Sequence, residues 1–398
     1  MILAFDVRMA TWGGVGTYTR ELLGALARDH EALGLERILA FHAPEDGPLA
    51  ELADHPALEW LAAPGSPWSP AANVRLGLAA RGRAARGRAD VFHAPHFPVP
   101  LGFGRPLVTT IHDLIPLLIP DSMPDPKRRA VYSSMVRWAV TQSDVVICGT
   151  REAARSVIQR FGDTRVCVVH HGMGIASSSA VEGPAELEAL GRHGLRPGYV
   201  LWVGAFKPHK DVPTALAAHR RLPPEIRDRH PLVLVGDDQT AEGRMVRGEL
   251  LDSPPELGRH VHMLGRVAPA DLPPLFKGAG VFVFPSLIEG FGLPPLEAMA
   301  YGVPVVSSRA APMPEVLGDA ASYFTPGNAD ELTARLRDLL TDPTAAARLR
   351  ARGRVRARRY SWERAAAETV AAYGLAVGVR RERKTSTRPS DSQPSWAE

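Results

Sequence analysis

Two glutamates in the second half of the chain are spaced for chemistry on a ligand that has both hydroxyl and phosphate groups. They delimit the stretch Glu289-Gly-Phe-Gly-Leu-Pro-Pro-Leu-Glu297. Between them, Gly290 to Leu293 offer consecutive backbone amides, and the glycines allow a ligand to approach the main chain closely. Amides at a helix start bind phosphate groups, and carboxylates accept hydrogen bonds from hydroxyls. The stretch therefore predicts a site suited to a sugar nucleotide.

The sequence around this stretch indicates a strand before it and a helix within it. Residues 281–285 form a short apolar run, and Pro294-Pro295 presets the first turn of a helix. We expect Glu297 inside that first turn and the helix end at Gly302. A lone glutamate there would often only complement the helix dipole, so the prediction depends on the whole string.

A lysine and a histidine follow two other strand-like runs. Lys210 comes after residues 199–203, and His112 comes directly after residues 107–111. An ammonium group is a compact point charge that binds phosphate well. Taken singly, a surface lysine and a histidine bonded to Asp113 or to the main chain would be the simpler interpretations.

The full string from residue 285 to residue 307 resembles the signature of glycosyltransferase family 4, a large retaining family with the two-domain GT-B fold. The resemblance implies that Glu289 lies by the donor sugar and that Glu297 binds the ribose hydroxyls. The amides that it implies for the diphosphate are those of Gly290, Phe291, Gly292 and Leu293.

The loop Gly204-Ala-Phe-Lys207-Pro-His-Lys210 resembles the family loop that contacts the diphosphate, and Lys210 occupies the position of its lysine. Many family members have an arginine directly after the glycine, where this chain has Ala205. Neutralisation of the diphosphate is therefore expected to depend mainly on Lys210, with His209 or Lys207 as candidates for a second contact.

Three more segments resemble parts of the same family. His112 stands in a His-Asp-Leu segment whose histidine reaches the donor sugar or the acceptor region, so we expect it to act in catalysis with Glu289 and Lys210. Gly14 lies in a glycine run that faces the acceptor and the diphosphate. The segment near which the nucleotide base stacks contains Gly265 and Arg266.

Short β-rich runs alternate with helical patterns along the chain, and these elements must position the candidate residues. Such alternation predicts an α/β fold of parallel sheets covered by helices. Predicted strands occupy residues 2–7, 38–42, 90–93, 107–111, 144–148 and 165–169, and then 199–203, 231–236, 261–264, 281–285 and 304–307. We expect two doubly wound, Rossmann-like domains that face each other across a cleft, with ligands at the carboxyl ends of the strands.

Domain boundaries are expected where the alternation lapses. Residues 1–180 form the predicted acceptor-binding domain and residues 195–360 the predicted sugar-nucleotide-binding domain, with a linker at 176–198. Residues 361–376 resemble the final helix of the family, which crosses back to the first domain. Residues 380–398 are charged and nearly devoid of aliphatic side chains, so we expect them to be disordered.

Composition indicates a soluble protein of two domains. The chain has 398 residues, 45% of them hydrophobic and 23% charged. Cys148 and Cys167 lie in apolar runs and are interpreted as buried thiols of a cytoplasmic protein. We expect neither a signal peptide nor a membrane-spanning segment. The net charge of +4 favours anionic partners, and Arg81 to Arg88 fit a peripheral contact with anionic lipid as well as a solvated face.

Other enzyme classes fit the sequence less well. The run Gly13-Gly-Val-Gly16 lacks the spacing of a dinucleotide-binding loop, and no Gly-Lys-Ser/Thr phosphate loop follows a glycine run. No Asp-x-Asp motif for a metal ion occurs. The metal-ligand candidates, which lack a convincing third ligand, are His93, His96, His170 and His171. We therefore predict no metal and no cofactor apart from the nucleotide-sugar substrate.

The resemblance implies a retaining, metal-independent hexosyltransferase. Its motifs resemble mannosyltransferases of polysaccharide assembly, so we expect GDP-mannose as donor and a glycan or lipid-linked acceptor, selected by loops 95–105 and 119–129. A UDP- or ADP-sugar transferase acting on a small molecule stays open, as does a catalytically inactive sugar-nucleotide-binding protein. Nucleic acid is not an expected partner, because no aromatic stacking platform accompanies the basic residues.

Overall fold

The computed structural model describes residues 1–83, 89–104, 106–162, 164–173, 183–252 and 260–386. Within these ranges the chain forms two sheets, and every strand pairing in them is parallel. The predicted α/β class and its two doubly wound domains are confirmed.

The first sheet positions the amino-terminal side of the cleft. Its described strands are β1 (Ile2–Asp6), β2 (Arg37–His42), β3 (Leu58–Ala62), β4 (Val91–Ala94), β5 (Leu107–Ile111), β6 (Val145–Cys148) and β7 (Val166–Val168). Their order is β3-β2-β1-β4-β5-β6-β7. Leu3 and Phe5 point into one core and Ala4 into the other, because successive side chains of a strand face opposite sides. The strand order reverses between β1 and β4, where such sheets open a crevice.

The second sheet repeats this arrangement. Its described strands are β8 (Tyr199–Val203), β9 (Leu232–Val235), β10 (Val261–Gly265), β11 (Ala279–Phe284), β12 (Val305–Ser308) and β13 (Ala321–Phe324). Their order is β10-β9-β8-β11-β12-β13, with the reversal between β8 and β11. Leu201 faces one core, and Val200 and Trp202 face the other. Both sides of this sheet are therefore covered as well.

Helices connect the strands. The described α-helices up to residue 161 are α1 (Gly13–Arg28), α2 (Pro70–Leu78), α3 (Ile115–Leu118), α4 (Pro126–Gln142) and α5 (Arg151–Phe161). Those that follow are α6 (Pro184–Arg192), α7 (Val212–Arg220), α8 (Pro224–Arg229), α9 (Ala241–Leu251), α10 (Leu272–Gly278), α11 (Leu293–Ala300), α12 (Met313–Leu317), α13 (Ala329–Thr341), α14 (Pro343–Ala357) and α15 (Trp362–Ser386). Thr150 and Asn328 cap α5 and α13 by accepting a backbone amide.

The last helix, α15, packs on the first domain. Trp362 and Tyr373 are buried in the core that α1 and β1 also form. The Tyr373 hydroxyl lies 2.7 Å from His93 Nδ1, and His93 Nε2 lies 2.8 Å from Thr110 Oγ1. Burial lowers the pKa of His93 to about 3, so this histidine is a neutral link between helix and sheet. Because α15 extends to Ser386, its predicted end at residue 376 is wrong, and so is the disorder predicted for residues 380–386. Residues 387–398 lie outside the described residues.

The other differences from the predicted elements have local causes. The predicted linker contains α6, and α1 begins at Gly13 rather than at Thr17. Strands β3 and β13 were not predicted. Both lie at the edge of their sheet, and their middle residues are only half-buried. Their sequences, Leu-Glu-Trp-Leu-Ala and Ala-Ser-Tyr-Phe, each contain a polar residue, so they lack the continuous apolar run that identifies a buried parallel strand.

Two predictions about the surface and the thiols can be compared with the structure. Both cysteines are free, but only Cys148 is buried as predicted, and Cys167 is half-buried. Burial raises the pKa of Cys148 to about 12. Arg81 is exposed, but most of the basic segment from Arg81 to Arg88 lies outside the described residues. None of the described helices combines the length and the apolar character that a membrane crossing requires.

Candidate active site

The predicted site residues lie at the carboxyl ends of strands on both sides of the cleft. His112 directly follows β5, Lys210 lies in the loop after β8, and Glu289 lies in the loop after β11. Because β8 and β11 are neighbours where the strand order reverses, their loops meet over the crevice. The Leu287 amide donates to the His209 carbonyl at 2.8 Å and joins the two loops.

Lys210 and Glu289 form an ion pair although 79 positions separate them in the sequence. Lys210 Nζ donates to Glu289 Oε1 at 2.6 Å and to Oε2 at 2.8 Å. Their side chains are only 16% and 7% exposed. The ammonium also lies 5.5 Å from the centre of the Phe284 ring, which stabilises the positive charge. The cleft thus contains a partly desolvated cation that a bound phosphate could also contact.

The main chain that leads into α11 approaches the first domain closely. A Cβ at Gly290 would lie 3.0 Å from Asp113 Oδ2 and 3.2 Å from the His112 carbonyl oxygen. Gly292 has a φ of 88°, and a Cβ there would lie 2.5 Å from Met313 Cε. Both positions therefore favour glycine. The backbone amides of the first turn of α11, which have no partner within the helix, consequently lie at the cleft.

Phe291 and Leu293 contribute packing at this site. The Phe291 ring is buried, and its centre lies 4.6 Å from the His171 ring, with the two planes 26° apart. Leu293 packs against the core of the second domain. The Thr150 hydroxyl donates to the Gly290 carbonyl at 3.4 Å. The side chains thus hold this loop in place, and the backbone amides are the groups with which the loop can bind a ligand.

Glu297 lies in the second turn of α11, because the helix begins at Leu293. Its predicted place in the first turn is wrong, and the helix dipole explains it poorly, since that effect fades beyond the first turn. Burial raises the pKa of Glu297 to about 7. In the described part of the chain, no group donates a hydrogen bond to this carboxylate. Its oxygens are therefore available to hydroxyl groups of a ligand.

His112 is a neutral imidazole at physiological pH. Burial lowers its pKa to about 4, although a hydrogen bond to the Pro95 carbonyl opposes the shift. Nε2 lies 2.9 Å from that carbonyl oxygen. Because a carbonyl only accepts, we assign the proton to Nε2, and Nδ1 is then an acceptor. The ring is fixed by contacts with Tyr18 and His171, whose centres lie 4.8 and 5.4 Å away.

Two residues were candidates for the positive charge missing at Ala205. His209 is buried, and its pKa is lowered, chiefly by that burial, although the charge of Glu289 opposes the shift. It is therefore uncharged near neutral pH. Lys207 is exposed at the same loop. Of the two, only Lys207 offers a positive charge to an anion.

The glycines of the two remaining loops differ in what they offer. The amide of Gly204 donates to the Val235 carbonyl at 3.0 Å, so it is already engaged. Gly14 lies in the first turn of α1, where an added Cβ would meet nothing within 4 Å. Packing therefore does not require glycine at Gly14, and the position leaves open space at the helix start.

Gly265 ends the strand β10, and Arg266 follows it. Gly265 has a φ of 68°, which favours glycine at this turn. Arg266 is largely exposed, and its Nη2 donates to Asp237 Oδ2 at 2.7 Å. These residues lie on the far side of β9 from β8, and the structure does not bring them into contact with the Lys210–Glu289 pair.

One of the histidines weighed as a metal ligand, His170, pairs with a glutamate of the second domain. In the described ranges, no group of three or more His, Cys, Asp or Glu side chains could hold a metal ion. His170 Nε2 lies 3.1 Å from Glu315 Oε1, and both oxygens of Glu315 accept the Arg151 amide, at 2.9 and 3.0 Å. Burial by itself raises the pKa of Glu315, but these hydrogen bonds together lower the pKa by more, so the net shift is downward. Glu315 thus ties the second domain to the first.

Asp113 and two tryptophans lie near the site but were not among its predicted residues. The pKa of Asp113 is raised, first by burial and also by the charge of Glu289. Trp12 and Trp68 are 41% and 43% exposed and stack on each other. Three features of the sequence could have identified these residues. Asp113 directly follows His112, Trp12 directly precedes the glycine run, and Trp68 lies in a Pro/Ser-rich loop.

Comparisons with known proteins agree with this geometry. The sequence model of the "Glycosyl transferases group 1" family matches residues 190–356, and that of "Glycosyltransferase Family 4" matches residues 12–176. O-antigen chain mannosyltransferase B of Escherichia coli is 34% identical over 288 residues, which are 72% of this chain and 74% of that protein. The serotype-specific mannosyltransferase WbdA of Escherichia coli is 28% identical over 260 residues, 64% of this chain, but the match spans only 32% of its own length.

A solved structure shows the same fold. Sucrose-phosphate synthase from Thermosynechococcus elongatus superimposes with a TM-score of 0.71 and 21% sequence identity, covering 97% of this chain and 100% of that chain. At this level of identity the likeness concerns the fold alone. The two facing Rossmann-like domains are those of the GT-B fold, as predicted.

Proposed function

Because this chain belongs to the glycosyltransferases of family 4, we propose that it transfers mannose from GDP-mannose to a hydroxyl group of a glycan or lipid-linked acceptor. The product would be part of a cell-surface polysaccharide, made at the cytoplasmic side of the membrane. The observation that supports transfer is the Lys210–Glu289 pair, which lies beside the amides of α11 and opposite His112. The mannosyl part of the proposal depends on the 34% identical O-antigen chain mannosyltransferase.

The donor nucleotide binds the second domain in this proposal. Glu297 accepts hydrogen bonds from the ribose hydroxyls, for which its unpaired carboxylate is suited. The amides from Gly290 to Leu293 hold the diphosphate at the positive end of α11. Gly265 and Arg266 lie beside the base, in keeping with their place in the family. Lys207 supplies the second positive charge that the missing arginine would have supplied.

Lys210 and Glu289 exchange partners when the donor binds. The diphosphate takes the Lys210 ammonium, and Glu289 is released to the hexose hydroxyls. Lys210 Nζ donates to the two Glu289 oxygens at 2.6 and 2.8 Å, and phosphate oxygens would take their place, so the cation stays paired throughout. This avoids the large cost of a buried unpaired charge.

The leaving diphosphate gains negative charge as the glycosidic bond breaks, and the preorganised ammonium and amides stabilise that charge. His112 accepts a hydrogen bond from a hydroxyl group of the donor sugar at Nδ1, since Nε2 already donates to the Pro95 carbonyl. We propose attack from the face of the leaving group, with retained anomeric configuration and without a metal ion. Nuclear magnetic resonance of the product linkage tests whether the anomeric configuration is retained. Unchanged turnover in EDTA would support a reaction that needs no metal ion.

The decisive experiment replaces Lys210 by glutamine, which keeps a hydrogen-bond donor for Glu289 but removes the charge. We expect kcat for release of GDP from GDP-mannose to fall about a hundredfold or more, the usual effect of losing one such donor. Lys277→Gln, at a half-buried lysine near the end of α10, is the matched control and should retain wild-type kcat. A folded Lys210→Gln protein with near-normal kcat contradicts the proposal.

The donor itself is identified by a panel of GDP-, UDP- and ADP-sugars in a thermal-shift assay, because a tight ligand raises Tm by mass action. We expect the largest rise with GDP-mannose. A larger rise in Tm with a UDP- or ADP-sugar would assign a different donor, and the proposed transferase activity would still stand. Binding without turnover, with every acceptor tried, would instead favour an inactive sugar-nucleotide-binding protein.

A further inference from the structure

Two tryptophans are exposed together at the mouth of the first domain. The ring centres of Trp12 and Trp68 lie 6.0 Å apart with their planes 24° apart. Roughly four-tenths of each side chain is accessible to solvent. An exposed pair of large aromatic rings is a feature that stability does not require, and such patches commonly mark binding sites.

A buried polar network holds the two loops that carry these rings. Arg8, in the loop before Trp12, donates to the carboxylate of Asp6 at 2.9 and 2.7 Å and to Asn73 Oδ1 at 2.9 Å. Asn73 Nδ2 in turn donates to the carbonyl of Pro67, the residue before Trp68, at 2.8 Å. Arg8, Asp6 and Asn73 are all at most 5% exposed. The tryptophan loops are therefore fixed relative to each other before any ligand binds.

The pair is continuous with the catalytic residues. Trp68 contacts Phe97, whose ring centre is 5.3 Å away, and Phe97 contacts His96 at 4.2 Å. His96 in turn lies 5.8 Å from the ring of His112. Trp12 directly precedes the start of α1 at Gly13. A row of rings, buried at Phe97, thus connects the exposed pair with His112 on the side of the cleft opposite the Lys210–Glu289 pair.

We propose that Trp12 and Trp68 form the acceptor subsite and that a pyranose ring of the acceptor glycan stacks on them. The less polar face of a pyranose presents C–H groups, which the negative face of an indole attracts while apolar surface is buried. The occupant is a sugar because the row of rings ends at the reacting centre, where the acceptor hydroxyl must arrive. This inference depends on the proposed transferase function.

The test compares Trp12→Ala/Trp68→Ala with Trp138→Ala, which removes a 49% exposed tryptophan from α4. The probe acceptor is fluorophore-tagged α-linked mannobiose with saturating GDP-mannose. We expect the double variant to raise the acceptor KM about tenfold, while Trp138→Ala leaves it unchanged. In both variants GDP-mannose should still raise Tm as in the wild type, which separates the donor site from this one.

A second readout does not need turnover. Methyl mannosides, glucosides and galactosides are titrated against the intrinsic tryptophan fluorescence in the presence of GDP. We expect a saturable change in the Trp138→Ala protein and its loss in the double variant. The proposal is overturned if no glycoside gives a change that depends on the pair, or if the acceptor KM of the double variant equals that of the wild type.

Two further outcomes separate the acceptor subsite from a membrane contact and from the proposed transfer. If the double variant keeps its KM for mannobiose but no longer sediments with anionic phospholipid vesicles, the pair is a membrane contact and the acceptor subsite is wrong. If the wild type fails to turn over GDP-mannose while glycosides still change the fluorescence through the pair, the proposed mannosyl transfer fails and the sugar platform stands.

Discussion

Replacing Glu297 by glutamine should stabilise the protein at alkaline pH and leave it unchanged in acid. Burial raises the pKa of this carboxyl from 4.5 to about 7, so the folded protein holds the proton more tightly than the unfolded chain. The wild type therefore loses stability as pH rises from 4.5 through 7. One pKa unit corresponds to about 1.4 kcal/mol, so the full loss is about 3 kcal/mol.

Glutamine resembles the protonated glutamic acid in shape and never ionises. Below pH 4.5 the free energies of unfolding of Glu297→Gln and wild type should therefore agree closely. Above pH 8 the variant should be more stable by about 3 kcal/mol, which in a domain of this size raises Tm by roughly 6–12 °C. Its affinity for the donor nucleotide should fall, because an amide has one acceptor oxygen where a carboxylate has two.

Differential scanning fluorimetry at pH 5 and pH 8 measures this effect as a difference between variant and wild type. Glu363→Gln, at a glutamate that is 61% exposed, serves as the control and should give the same Tm difference at both pH values. A Tm difference between Glu297→Gln and wild type that does not grow with pH refutes the reasoning. It would mean that a group in the folded protein neutralises the carboxylate.

Two further predictions concern the architecture of the cleft. Gly292→Ala should lower Tm by several degrees, since a Cβ there meets Met313 and the φ is positive. Gly374→Ala, in open space on α15, is the control and should leave Tm equal or higher. Equal losses of Tm in both variants would contradict the steric argument. Glu315→Gln should accelerate hydrogen exchange at the Arg151 amide, because glutamine has one acceptor oxygen for a donor that now contacts two. Unchanged protection of that amide would show that Glu315 does not tie the domains together.

Much of the fold was predictable because parallel strands buried on both faces leave continuous apolar runs in the sequence. Strands β1, β5 and β8 were located to within a residue for this reason. The edge strands β3 and β13 were missed, since a glutamate and a serine interrupt their apolar residues. Glu297 falls in the second turn and not in the first, because α11 begins at Leu293, two residues before Pro295.

The sequence by itself determined the reaction class. The stretch from Glu289 to Glu297 is contiguous, so its glycines, prolines and carboxylates are all local information. Tertiary structure alone decided which residues meet. Lys210 pairs with Glu289, Gly290 faces Asp113, and Trp12 stacks on Trp68, each across a long stretch of chain. The physical reason is that these contacts depend on the order of strands in the sheets and on the approach of two domains, and neither leaves a periodic trace in the sequence.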